Sequence, residues 1–311
     1  MAATNRLPRI DHSTRSPAED YLDNLPSQRS AETMRSCLNR LSKILGLESF
    51  MQADWSQLRR SHCQYAMAVL KTQGLAPSTR NVYLATLKGV AREAYNSGLM
   101  PLSAYARIKD LQAVHYERLP VGFSLTLRQC KRLLAACDDG TLRGARDKAL
   151  LAVMMGCGLR RAEAVSLTLE SWDAKDQSLK FVGKGNKERK VFLPTDLLDI
   201  MNTWLEIRGL EEGALFPRMK PGKLEKEEFV FTNMQPMSIY RIILRRSQIA
   251  KIDNLRPHDL RRTFATRMLD AGCDIVILQR AMGHSSPTTT ARYDRRPEKS
   301  RERICKALKF S

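Results

Sequence analysis

A chain of 311 residues, 43% of them hydrophobic, can bury one large core or two modest ones, and its length favours two domains. A formal net charge of +19 draws such a surface toward a polyanion, nucleic acid first. No apolar run approaches the roughly 18 residues of a membrane span, no lipidation motif stands at either end, and residues 1–17 lack the apolar stretch of a secretory signal, which together point to a cytoplasmic protein off the membrane.

Ser30 is placed to cap a helix whose apolar residues Met34, Leu38, Leu41 and Leu45 recur at steps of three and four. A second helical stretch is expected after Trp55. A third begins at Pro77, turns Leu84, Leu87, Ala91 and Ala94 inward, and stops at Gly98 before Pro101. The first domain, 17–112, therefore reads as all-helical. Arg80, Lys88 and Arg92 lie within the third helix; Arg80 and Lys88 are candidate DNA contacts, with an ordinary solvated face as the alternative.

Residues 113–124 show no period and contain Pro120 and Gly122, which makes them the expected linker to a second domain at 125–311. Helical patterns at 127–137 and 146–155 lead into Gly156-Cys157-Gly158. Two strands, 178–182 and 190–193, flank a polar turn at 183–189 that holds Lys184 and two further candidate DNA contacts, Lys187 and Arg189. Helices are expected at 195–207, 238–249, 258–271 and 274–282. The fold class is mainly α with a small antiparallel β-sheet. The seven cysteines are scattered with no CxxC pair, as reduced core thiols would be.

His258 and Arg261 stand three residues apart at the start of a predicted helix, on one face, where free backbone N–H groups and the macrodipole also favour a phosphate. Alone, such a pair is usually an ordinary capped helix with surface charges. Further on, Gly283-His284 is followed nine residues later by Tyr293, in a basic, polar stretch. Phosphoryl transfer needs a nucleophile, cations for the non-bridging oxygens and a proton donor for the leaving oxygen, and the combination supplies each. No P-loop and no two-metal carboxylate cluster is present in the sequence, so neither metal nor cofactor is expected.

Taken together, these segments resemble the tyrosine recombinase (phage integrase) family, in the simple Xer-like two-domain form, over nearly the whole chain. Gly158-Leu159-Arg160-Arg161-Ala162-Glu163 resembles the first arginine box, implying Arg160 as a phosphate-binding arginine and Glu163 as its supporting acid. The strand-turn-strand lysine resembles Lys184, with Lys187 in the same turn as the alternative. The histidine-arginine box falls on His258 and Arg261, the second histidine on His284, and the nucleophile on Tyr293. Arg161 and Arg262 directly follow the two assigned arginines, and a step of one along a helix points about 100° away, so neighbours cannot serve one phosphate equally.

The resemblance implies an N-terminal SAM-like core-binding domain that clamps duplex DNA together with the catalytic domain. The reaction it implies is strand cleavage and rejoining through a 3′-phosphotyrosine and a Holliday junction, on paired inverted half-sites, by a homotetramer. The task would be integration, excision or resolution of a mobile element or replicon. The short lead before Ser30 suggests no added arm-binding domain. A type IB topoisomerase-like enzyme and a non-catalytic DNA-binding protein of the same fold are the alternatives. In the tail, 297–311, Ile304, Ala307 and Leu308 recur at helical spacing; the helix either folds back on its own domain or, as the family resemblance implies, docks on a neighbouring protomer.

Overall fold

The computed structural model describes residues 6–9, 15–116, 122–183, 187–220, 228–283 and 306. The chain divides into two compact units, Met1–Leu119 and Pro120–Ser311, a division that falls within the stretch expected as linker. Each unit has its own apolar core.

The first unit is helical: α1 (Pro17–Asp23), α2 (Gln28–Ile44), α3 (Arg60–Thr72), α4 (Pro77–Asn96) and α5 (Leu102–Lys109). α4 is its axis and packs against the other four. It buries Leu84, Leu87, Ala91 and Ala94, as the three-four spacing predicts. α2 starts earlier than Ser30, because Ser27 is the residue whose hydroxyl accepts the Ser30 N–H, at 3.2 Å.

The second unit runs α6 (Leu127–Ala135), α7 (Leu142–Cys157), α8 (Arg161–Ser166), β1 (Trp172–Asp173), β2 (Ser178–Gly183), β3 (Lys187–Phe192), α9 (Leu198–Arg208), β4 (Pro217–Met219), β5 (Phe229–Asn233), α10 (Pro236–Ile249), α11 (Pro257–Asp270) and α12 (Ile275–Met282). β1, β2 and β3 form one antiparallel sheet, and β4 pairs with β5 in a second. β3 starts three residues before the predicted strand. Lys187 and Arg189 are therefore strand residues, paired opposite Gly183 and Phe181, and the rest of the predicted turn, 184–186, lies outside the described residues.

α7 is buried along nearly its whole length and forms the centre of this core. Its Asp147, fully buried, accepts from Arg146 at 2.8 Å and, across on α10, from Arg245 at 2.6 Å and Arg246 at 3.0 Å. That network fixes α10 to α7. A smaller cluster of Phe264, Ala265, Leu269, Leu278 and Met282 packs α12 on α11. Burial pushes the thiols of Cys63, Cys137 and Cys157 up to about 12, which makes them inert core residues.

Candidate active site

The site is assembled from one helix end, two helix starts and a second helix end. α7 stops because Gly158 turns left-handed (φ +62°), and a Cβ there would come within 2.4 Å of the Phe264 ring. The chain then extends through Arg160, which caps α8. From the first turn of α8, Glu163 reaches back: Oε2 accepts the Arg160 backbone N–H at 2.8 Å, and Oε1 accepts Arg160 Nη1 at 2.6 Å. The acid thus orients the guanidinium as well as capping the helix.

α11 begins with Pro257 at its first position, and Asp259 Oδ2 accepts the Arg256 N–H at 2.9 Å. Asp259 also accepts from the Phe123 N–H at 3.3 Å, tying the start of the unit to this helix. Arg261, 2% exposed, donates to the Gly158 and Met282 carbonyls, and its Nη1 lies 3.9 Å from Glu163 Oε2. Arg262, one step along the helix, turns away and donates to the Gly122 carbonyl at 3.3 Å. The geometry thereby separates the adjacent arginines, with Arg261 directed to the Glu163 side.

α12 ends at a second left-handed glycine, Gly283 (φ +60°). Its last three carbonyls each meet a different guanidinium. Ala281 accepts from Arg189, Met282 from Arg261, and Gly283 from Arg160 at 3.3 Å.

Arg160, Arg161, His258 and Arg261 line one cleft of about 460 Å³ with Met237 and Tyr240 of α10. Burial alone would raise the Glu163 carboxyl, but the Arg160 N–H and guanidinium, with the charge of Arg189, hold it below the usual carboxylate range. Partial burial of the His258 ring and the charges of Arg262 and Arg261 push its pKa below the usual histidine value. Its outer face is open to solvent, so the cations are the firmer cause. The imidazole is neutral at pH 7 and able to accept a proton.

Lys184, His284 and Tyr293 lie outside the described residues, as does the Lys187 side chain. Arg189 is buried against Glu163, and Lys88 donates to the Lys109 and Leu111 carbonyls at 2.8 and 2.5 Å, so both cations are already engaged inside the protein. Arg80 is half-buried on α4. Among the described residues no cluster of His, Cys, Asp or Glu could hold a metal ion, and no helix is long and apolar enough to cross a membrane. Sequence reading missed Met237 and Tyr240. Their three-residue spacing, on the side of α10 away from Ile239, Ile242 and Ile243, is the signal that marks a second face.

Residues 124–299 match the model of the phage integrase family, and residues 18–115 that of the phage integrase N-terminal SAM-like domain. The chain belongs to the phage integrase family. It is a tyrosine recombinase, of the class that cleaves and rejoins DNA strands. It is 31% identical over 232 residues to tyrosine recombinase XerD of Pseudomonas putida (71% of this chain, 72% of that one). It is 29% identical over 291 residues to tyrosine recombinase XerC of Shewanella oneidensis (92% and 90%). Its fold is shared with the Tn1549 transposon integrase, solved in complex with circular intermediate DNA (TM-score 0.66, 18% identity, 95% of this chain and 100% of that one). A lambda integrase dimer bound to a core site gives TM-score 0.66 at 12% identity, covering 94% and 96%.

Proposed function

We propose that this recombinase exchanges strands at a specific DNA site with Tyr293 as nucleophile. The observation that carries the reading is the convergence of Arg160, Arg261 and His258 on one cleft, with Glu163 bracing the arginines. Arg160 and Arg261 stabilise the charge on the pentavalent phosphate, where preorganised donors act most strongly. A free tyrosine loses its proton near pH 10, so Tyr293 gives its proton away as it attacks, and neutral His258 accepts it. The products are a 3′-phosphotyrosine and a free 5′-hydroxyl, and the 5′-hydroxyl of a partner strand reverses the step through a Holliday junction. His284 adds a hydrogen bond to the phosphate. Lys184, with Lys187 as the alternative, protonates the leaving oxygen. The charge stabilisation comes from arginines, so the scheme uses no metal.

The partner is duplex DNA with paired inverted half-sites, bound by four copies in the cytoplasm, for integration, excision or resolution of a mobile element or replicon. The named relatives are recombinases, which favours strand exchange over topoisomerase-like relaxation or simple occupancy.

The test is to express the protein in its native host, denature, and sequence the DNA that stays covalently attached. A single recurrent site is expected with the wild type and with Tyr240→Phe, and none with Tyr293→Phe. Tyr293→Phe should still bind a duplex of that sequence within about three-fold, because one hydroxyl adds little to an interface dominated by phosphate contacts. Attachment that survives Tyr293→Phe and disappears with Tyr240→Phe would move the nucleophile to α10.

A further inference from the structure

We propose that Arg189 is a positioning residue for strand cleavage, holding Arg160 and the end of α12 in one unit through Glu163. The proposal rests on the reading of Arg160 and Arg261 as the phosphate-binding pair.

Arg189 has the geometry of an internal brace. Its side chain is 9% exposed, its guanidinium lies 5.2 Å from the centre of the Phe181 ring on the neighbouring strand, and Nη1 donates to Glu163 Oε1 at 3.1 Å. The same oxygen accepts from Arg160 at 2.6 Å, so one carboxylate oxygen is shared by two guanidiniums while the other lies 3.9 Å from Arg261. The second arm of Arg189 donates to the Ala281 carbonyl. A Cβ on Gly283 would come within 2.8 Å of the Arg189 side chain, so a larger residue at this left-handed helix end would make Arg189 shift.

The planar fork explains why this residue is arginine. One side chain must meet a carboxylate on α8 and a carbonyl on α12 together, and an ammonium offers a point charge without that fixed span. Burying a third cation beside Arg160 and Arg261 against one carboxylate is unfavourable, and the Arg189 Nε–H is buried without a hydrogen-bond partner among the described residues, so the bonds of its two Nη atoms must offset that cost. Desolvation accordingly lowers the Arg189 pKa, against the pull of Glu163. Without Arg189, Glu163 Oε1 loses one of its two guanidiniums, Arg160 loses a fixed orientation, and α12 loses a tether directly before the segment carrying His284 and Tyr293. DNA affinity, spread over many phosphates, should change little.

The experiment uses the full chain and a nicked duplex of the sequence recovered by covalent trapping, with either a phosphodiester or a neutral methylphosphonate at the scissile position. Single-turnover formation of the covalent complex is measured at saturating DNA, beside the Kd and the melting temperature. On the phosphodiester, Arg189→Ala should lose about 100-fold in rate, the scale of losing one charge-stabilising donor, with Kd within about three-fold. Arg189→Lys should recover about ten-fold of that, having the charge without the fork. On the methylphosphonate, which has one non-bridging oxygen and one negative charge fewer for the arginines to stabilise in the pentavalent state, the deficit of either variant relative to wild type should shrink to less than about ten-fold.

Equal deficits on both substrates would reduce Arg189 to a purely structural ion pair. A weakened Kd with an unchanged rate at saturation would make it a DNA contact. Either result overturns the proposal. If Arg189→Ala does not fold, Arg189→Lys decides by the same comparison. Wild type that forms no covalent complex overturns the recombinase reading itself, whereas variants as fast as an active wild type overturn only this inference.

Discussion

His258 is the residue whose protonation the site most visibly controls. Its pKa is lowered from 6.5 by partial burial and by Arg262 and Arg261, so the folded protein resists taking up a proton that the unfolded chain accepts. Cleavage should therefore hold its rate as pH falls to 6.5 and decline only below it, as measured by single-turnover covalent complex formation across pH. The sign for stability follows by linkage. Below 6.5 the unfolded state binds the proton first, so stability is full above that pH and is lost as pH falls toward the folded value. His258→Gln should flatten that slope, and an acid limb centred at or above 6.5 would show that the cations do not govern this ring. Arg160, Glu163, His258 and Arg261 were legible in the sequence because each stands at fixed spacing in a local box. The place of Arg189 was not, since its partners are 26 and 92 residues away and nothing local tells a strand residue from a turn residue.

α10 divides its surface three ways. Ile239, Ile242 and Ile243 enter the core, Met237 and Tyr240 face the cleft of Arg160 and His258, and Ser238, Arg241 and Arg245 line a second cleft of about 460 Å³ with Arg143, Arg218 and Lys220. Arg245 is held by Asp147 and Lys220 by Glu228, whereas Arg218 and Arg241 have no acidic partner among the described residues. The two clefts share one helix, whose diameter is about 10–12 Å, so DNA engaged at the first has its flanking backbone within reach of the second. Arg218→Ala and Arg241→Ala should each weaken DNA binding and lower the slope of log Kd against log salt by about one. The rate of covalent complex formation at saturation should stay unchanged. Titrations at several salt concentrations test this, and wild-type slopes would remove both residues from the interface. Long periodic helices such as α4 and α10 could be read from their sequence. α1 and α8, of 7 and 6 residues, have too few turns for a period to register, and α8 is set by the Glu163 cap instead.

At the scale of the molecule, the two units follow from two apolar cores separated by an aperiodic stretch, and that much was plain in the sequence. What composition did not disclose is an apolar cleft of about 650 Å³ in the second unit, lined by Leu127, Cys130 and Leu134 of α6, Phe264 and Met268 of α11 and Ile277 of α12. α6 is remote in sequence from α11 and α12, so only the fold gathers these residues. Leu127 and Ile277 are 51% and 57% exposed, which is costly for apolar side chains on an uncovered surface. Apart from Lys306 the expected tail helix lies outside the described residues, and the apolar Ile304, Ala307 and Leu308 of its sequence are chemically suited to this cleft on a neighbouring protomer. Truncation after Arg296 should spare binding to a single half-site, weaken cooperative binding to paired half-sites and uncouple cleavage from recombination. Ile277→Glu should do the same from the acceptor side. Gel-shift titrations on one and two half-sites measure it, and a truncated protein that binds cooperatively and recombines like the full chain would end the idea.

The carbonyl contacts of Arg160 and Arg261 also bear on what the cleft refuses. Both guanidiniums already commit part of their five N–H donors to oxygens of the chain's own backbone, so their orientation is set before a ligand arrives and only the remaining donors are on offer. A sugar hydroxyl or an amide carbonyl gives those donors no more than water does. An anionic oxygen forms a charge-assisted bond roughly twice as strong. Discrimination then rests on a difference between acceptors and not on raw attraction.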